Sequence, residues 1–527
     1  MTCSSCPSTE PFSPSIPSPA PPAWKGPIPP PTPMQAPTAQ VMLPPIGQRT
    51  RPATIDGADW SGTAAASARS SFDPRDALSV LTTNLFQSNA KGEAISASLF
   101  RAPLGCGLLL RVMSPDPSTF HTWTLPNGIR CVHLEDGRNV GHCGLLIEAG
   151  SRDELDRENG LAHFIEHSLF KGTGKRRTFH ILNRLDSVGA ELNAYTSKEE
   201  TWITASYLSE HLGRAVELIA DIAFHSTFPE REIAKERDVI IDEIHAWRDN
   251  PGDAIFDEFQ SILYPNHALG RNILGDEKSV GGFKRNDILR FIDRQYRNDR
   301  LVFSSVGPMP AKQVKRLTEK HLSARQTQAS RGERSVPTGY SPVRREGDHA
   351  VHQVHAVIGS PGYGMDDPKR TALMLLSNHL GGPGMNARLA LNIRERHGIC
   401  YNIESSYFPY ADTGEFTVYF GTDVKTFARA ERLVMKELRD AREKRLGVVT
   451  LKQAKQQIIG QIALGAESGS GWMSTMGKSI LMYDRVRPLE EAFHAIEAVT
   501  ADDVLEVANE VLDPDRLSAL VYFPPRG

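Results

Sequence analysis

The stretch His163-Phe-Ile-Glu166-His167 holds residue types whose spacing suits metal chemistry. It lies inside a helical pattern running from Gly160 to Lys171 and closed by Gly172 and Gly174. Residues four apart on a helix share a face, so both imidazoles project together, and Glu166, three residues after His163, falls on the same side. Two imidazoles beside a carboxylate suit a zinc ion and a base for the water it activates. The order H-x-x-E-H inverts the better-known zinc helix. A solvated helix face with the same five letters is the alternative. A catalytic zinc also needs a third protein ligand and an open position. The helical pattern from Glu230 to Asp249 offers Glu236 and Glu243, seven residues apart and so on one face. Glu230, Glu232, Asp238 and Asp242 lie there too, so the residues alone leave the third ligand open.

The surrounding pattern supplies elements to hold such a site. Thr122 to His133 reads as strand, Asn127-Gly128 turn, strand. An apolar strand follows from Gly144 to Ala149. After the His163 helix, Thr178 to Val188 is amphipathic, with Thr178 as candidate N-cap and Gly189 as stop. Glu191–Thr196 and Thr201–Tyr207 read as strands around a Ser-Lys-Glu-Glu turn, followed by helices at Glu210–His225 and Glu230–Asp249. Beyond about residue 350 the plan repeats. A strand at Val354–Ser360 leads to helices at Asp367–Leu380 and Asn386–His397. Strands at Cys400–Ser406 and Glu415–Gly421 come next, then long helices at Thr426–Arg445 and Thr450–Ala466. Asp238 to Ile244 aligns with Gln456 to Ile462. The reading is a duplicated lobe of α+β class, each copy a mainly antiparallel sheet packed with helices. At the positions facing His163 and Glu243, the second copy has residues near Thr371 and Gln461, which cannot replace the ligands. One metal site, in the first lobe, is therefore expected.

Composition narrows the function class. Sixteen of 36 prolines fall in the first 52 residues, where only Glu10 and Lys25 are charged before Arg49. Such a stretch cannot bury enough apolar surface to offset its ordering entropy. Residues 1–52 read as a low-complexity tail and 53–117 as transitional, with one weak amphipathic stretch at Asp76–Phe86. Cys3 and Cys6 form a C-x-x-C there, read as incidental thiols. The divisions are 1–118 as a disordered extension, 119–335 as a zinc-binding lobe and 336–527 as its non-metal homologue. A start at Met113 would leave 415 residues; residues 1–112 are then either a disordered extension or untranslated. With 60 basic and 63 acidic residues the net charge is −3, without the basic footprint of a nucleic-acid binder. No apolar run is long enough to span a membrane, and no secretory signal is seen, so the expected compartment is the cytoplasm.

Two runs, Gly160-Leu-Ala-His-Phe-Ile-Glu-His-Ser-Leu-Phe-Lys-Gly172 and Lys235-Glu-Arg-Asp-Val-Ile-Ile-Asp-Glu-Ile244, resemble the pitrilysin (M16) family of zinc peptidases. The likeness is strongest to its short bacterial and mitochondrial-processing types and covers about residues 119–525. The resemblance implies a Glu ligand about 76 residues after the second histidine, which falls on Glu243. It implies a supporting carboxylate at Glu236 and a base at Glu166. Leu192-Asn193-Ala194-Tyr195-Thr196 resembles the family's edge strand, on which a peptide substrate adds as a further strand. Arg394 and Tyr401, seven residues apart, resemble a pair that reaches from the second lobe to grip the peptide and stabilise the reacting carbonyl. Implied overall is a two-lobed clamshell holding one Zn²⁺ per chain, an endopeptidase for short or unfolded peptides. Because both motifs sit in one chain, a self-sufficient homodimer is the simpler arrangement. The alternative is a non-catalytic structural or partner subunit.

Overall fold

Six strands form the first sheet: β1 (Phe120–Thr124), β2 (Arg130–Glu135), β3 (Val140–Ile147), β4 (Glu191–Thr196), β5 (Thr201–Leu208) and β6 (Leu301–Gly307). The computed structural model describes residues 119–325, 327 and 334–525. The proline-rich tail, the Asp76–Phe86 stretch, the Cys3/Cys6 pair and Met113 lie outside them. The strand order is β1-β2-β6-β3-β5-β4, antiparallel except for β2 beside β6. Gly128 closes the first hairpin at φ +93°, a conformation open to glycine and costly for other residues. The central strand β6 is buried along its whole length, whereas β4 stands at the edge.

The helices between these strands are α1 (Leu161–Leu169), α2 (Thr178–Asp186), α3 (Leu212–His225), α4 (Glu230–Arg248), α5 (Pro251–Leu263), α6 (Glu277–Gly282) and α7 (Arg285–Gln295). α8 (Ala311–Leu322) follows β6. The cap of α2 differs from the sequence reading. Arg177 is the N-cap, and the Thr178 hydroxyl donates instead to the Lys171 carbonyl at 3.0 Å, closing the loop between α1 and α2.

The second half repeats the plan. Its strands β7 (Arg344–Asp348), β8 (Val354–Gly362), β9 (Cys400–Pro409), β10 (Gly414–Thr422) and β11 (Ser518–Phe523) run in the order β7-β11-β8-β10-β9. This is the first sheet's order without β1, again with one parallel pair, β7 and β11. Its helices are α9 (Arg370–Gly381), α10 (Val424–Glu443), α11 (Val448–Gly465), α12 (Gly469–Tyr483), α13 (Leu489–Ala498) and α14 (Ala501–Val511), with a π-helical segment at Ala390–Glu395. The sequence reading passed over α5, α6, α7, α8, α12, α13, α14, β6, β7 and β11.

Two of those helices cross between the halves. α5 lays Ile255, Phe259, Ile262 and Leu263 against Val357, Tyr419, Leu520 and Tyr522 of the second sheet. α12 covers the first sheet in return. Gly477 comes so close to Trp202 that a Cβ there would meet the indole at 2.5 Å, and Ser304 donates to the Met473 carbonyl at 2.6 Å. The first sheet's other face, with Cys143, Leu145, Ile147 and Ile203, packs into one core with Phe164, Ile165 and Ile240 of α1 and α4. Among the described residues no helix is long and apolar enough to cross a membrane.

Candidate metal centre

α1 starts from a left-handed Gly160 (φ +90°), where an added Cβ would meet the Leu274 carbonyl oxygen at 2.6 Å. The Glu154 carboxylate accepts from the Gly160 and Ala162 amides at 2.9 and 2.7 Å. Two of the helix's otherwise unpaired N–H groups are thereby satisfied, although burial outweighs these two bonds and pushes the Glu154 carboxyl up to about 8. Phe164, Ile165 and Leu169 are buried, so the helix cannot rotate without opening the core. That orientation points His163 and His167 toward α4, their ring centroids 4.6 Å apart.

There they meet Glu243. His163 Nε2 and His167 Nε2 lie 3.8 and 3.6 Å from Glu243 Oε2, and one ligand atom from each residue lies within 4.8 Å of the others. These separations are too long for hydrogen bonds. They match atoms that share a tetrahedral cation: two bonds of about 2.0–2.1 Å place their outer atoms about 3.3 Å apart. Among the described residues this is the only cluster of three such side chains. The donor set, two imidazoles and one carboxylate, therefore fits zinc. In the second lobe, Thr371 of α9 and Gln461 of α11, near the places the sequence repeat sets opposite His163 and Glu243, have buried Oγ1 and Oε1 atoms with no hydrogen-bond partner.

Charge around the cluster favours a metal. Burial, with His167 beside it, drives His163 down to about 3, so the ring is neutral at neutral pH. His167 is also desolvated, but Glu236, Glu243 and Glu166 outweigh that and raise it. Its Nδ1 lies 3.3 Å from Glu236 Oε2, which fixes the ring and leaves Nε2 facing Glu243. Burial alone would raise Glu236, yet His167 and Lys171 hold it below its ordinary value; Lys171 Nζ lies 2.7 Å from Glu236 Oε1. Glu236 thus lies beside His167 and outside the cluster of three.

Burial raises the Glu166 carboxyl, against the opposing effects of Thr196 and His167. Thr196 ends β4 close enough to Glu166 to oppose that shift, and its buried hydroxyl has no hydrogen-bond partner. The edge strand therefore ends beside Glu166. Along it, Ala194 is buried, Asn193 is exposed, and Tyr195 is 42% exposed. The Asn193 side chain accepts from the Ala194 amide at 2.9 Å.

The second-lobe pair is placed otherwise. Arg394, in the π-helical segment, bonds its neighbour Glu395 at 2.9 Å, and Tyr401, at the start of β9, is 91% exposed. The structure brings neither against the histidines. The sequence reading missed Lys171, Thr196 and Glu154. Only Lys171, four residues after His167, carried a signal, that of the helical i, i+4 spacing.

The chain is similar to known proteins. The family model described as Insulinase (Peptidase family M16) matches residues 132–277. The model described as Peptidase M16 inactive domain matches residues 282–458, most of it in the half without the cluster. An uncharacterized zinc protease of Mycobacterium leprae is 33% identical over 410 residues, 76% of this chain and 91% of the relative. One of Bacillus subtilis is 32% identical over 403 residues, 76% of this chain and 97% of the relative. The fold is similar to that of a protease from Helicobacter pylori (TM-score 0.70, 20% identity, 77% of this chain and 99% of that one). It is equally similar to a peptidase M16 inactive domain from Pseudomonas fluorescens (TM-score 0.71, 20% identity, with the same coverage).

Proposed function

The chain belongs to the insulinase-type peptidase family M16, and on that premise we propose that it is a zinc-dependent endopeptidase for extended, short or unfolded peptides. The observation that carries the proposal is the convergence of His163, His167 and Glu243, with Glu166 one residue from a ligand on the same helix. His163, His167 and Glu243 would hold the ion, and Glu236 would fix His167. A zinc ion there supplies a Lewis acid for the scissile carbonyl and for the attacking water.

The chain's own residues do the rest. β4 forms the outer edge of its sheet, and along Asn193–Tyr195 an extended peptide adds to it as another strand. Strand addition reads backbone more than side chains and selects unfolded segments. It also leads the peptide toward Glu166 through Thr196. Glu166 takes the proton of the attacking water and gives it to the leaving amine. A base raised by burial suits this work, because it takes a proton more readily than an ordinary carboxylate. Arg394 and Tyr401 belong to this proposal as groups that meet the peptide when bound: one carries a charge, the other a phenol free to move. The functional unit we propose is a homodimer in which each chain carries a complete site.

One experiment tests the reading. A quenched, unstructured peptide is expected to be cut by the wild-type chain, with activity lost to a chelator and restored by Zn²⁺. Glu166→Gln should keep one zinc per chain and lose about 10²–10⁴ in kcat. Binding without cleavage by the zinc-loaded wild-type chain would favour a non-catalytic subunit, and a fully active Glu166→Gln would remove Glu166 as the base.

A further inference from the structure

The turn between β4 and β5, Ser197 to Glu200, is tied at every residue to something outside its own hairpin. Its Ser197 and Lys198 carbonyls accept from the Ser151 and Arg152 amides at 3.1 and 2.7 Å. Lys198, buried, donates to the Arg271 carbonyl, and Arg271 in turn bonds the backbone of Glu154, whose carboxylate caps α1. Glu199 accepts from Arg152 at 2.6 Å and from the Ala411 amide of the second lobe at 3.0 Å. Glu200 pairs with Lys478 of α12. Arg152, its side chain 1% exposed, also bonds Asp412 at 2.6 Å. Arg334, between the lobes, bonds Asp153 through two nitrogens at 3.0 and 2.8 Å and the Glu199 carbonyl at 2.8 Å.

Charges this deeply buried are costly to leave unpaired, so the geometry is held to one arrangement. Three of its anchors, Ala411, Asp412 and Lys478, come from the second half of the chain. The residue before the turn is Thr196, beside the base. We propose that Arg152 and Glu199 are positioning residues: they register the second lobe's placement and pass it through the β4–β5 turn to Thr196 and Glu166. Turnover then depends on the lobe-to-lobe fit although no second-lobe anchor touches the metal ligands. This rests on the peptidase reading above.

The test uses the full, zinc-loaded chain and alters the network from its far side, at Asp412. Asp412→Asn is expected to lower kcat about tenfold, with KM within about twofold and zinc content unchanged, because small misplacements of reacting groups cost rate more than binding. Asp412→Glu should restore at least half of the loss. In a Thr196→Val background the same Asp412→Asn should have no further effect, since the path is already cut. Hydrogen exchange gives a readout without catalysis: amides of Asn193–Thr196 should exchange faster in Asp412→Asn. An unchanged kcat with unchanged exchange overturns the proposal, and so do effects that simply multiply in the Thr196→Val background. A variant that only melts earlier, with kcat intact, reduces the network to a structural tie. If the zinc-loaded wild-type chain cuts no peptide, the peptidase reading fails, and the exchange of β4 alone decides the coupling.

Discussion

His163 and His167 share four residues of helix and one carboxylate, Glu243, but have opposite electrostatics. Burial lowers the proton affinity of His163, whereas the carboxylates around His167 outweigh its burial and raise it. Zinc and a proton compete for His167, and the sign follows. As pH falls through the raised His167 value, proton and metal compete and zinc affinity drops, while His163 stays neutral throughout. A chelator competition run from about pH 8 to about pH 5 should show this fall; a flat profile would remove His167 from the ligand set. Glu243→Gln should leave the purified chain nearly free of zinc by elemental analysis. Glu236→Gln should retain zinc with about 10- to 100-fold weaker affinity, and the reverse order would exchange their roles. The candidate ligands were legible because helical spacing puts His163, Glu166 and His167 on one side and Glu236 and Glu243 on another helix's single face. Choosing between the two glutamates was not a matter of spacing. Lys171 and His167 occupy Glu236 from α1, and that contact exists only after the helices pack.

At the scale of elements, α1 is fixed at its first residue. Gly160 holds a left-handed turn pressed against Leu274 and Gly275, so Gly160→Ala adds both a backbone penalty and a collision. It should destabilise the chain by about 2 kcal/mol or more in denaturant titration, with zinc affinity falling alongside. A substitution tolerated without loss would mean that the α1 entry relaxes freely. The hairpins and long helices were readable from alternation, helical period and glycine stops. The cap of α2 was misplaced by one residue because Thr178 spends its hydroxyl on the Lys171 carbonyl. That choice depends on how the chain returns from α1, which local sequence does not encode.

The whole molecule shows where sequence reading ends. Duplication was visible in the element order and in the Asp238–Ile244 match, and the two sheets share one topology. The exchange of α5 and α12 was not visible, because an apolar stripe announces that a helix is covered without naming the sheet that covers it. Neither half should therefore be stable alone. Residues 119–325 and 334–527, expressed separately, should aggregate; expressed together they should co-purify and bind zinc. A soluble, folded first half by size exclusion and circular dichroism would contradict this. The exchange also imposes an order on synthesis. β6 ends at Gly307, but the helix that shields Val132, Leu134, Leu146, Trp202, Val302 and Val306 is complete only at Tyr483. At about 5–20 residues per second the ribosome leaves that apolar face naked for roughly 10–35 s. The nascent chain thus carries a long window of stickiness, during which its exposed apolar face is open to aggregation and to chaperone capture.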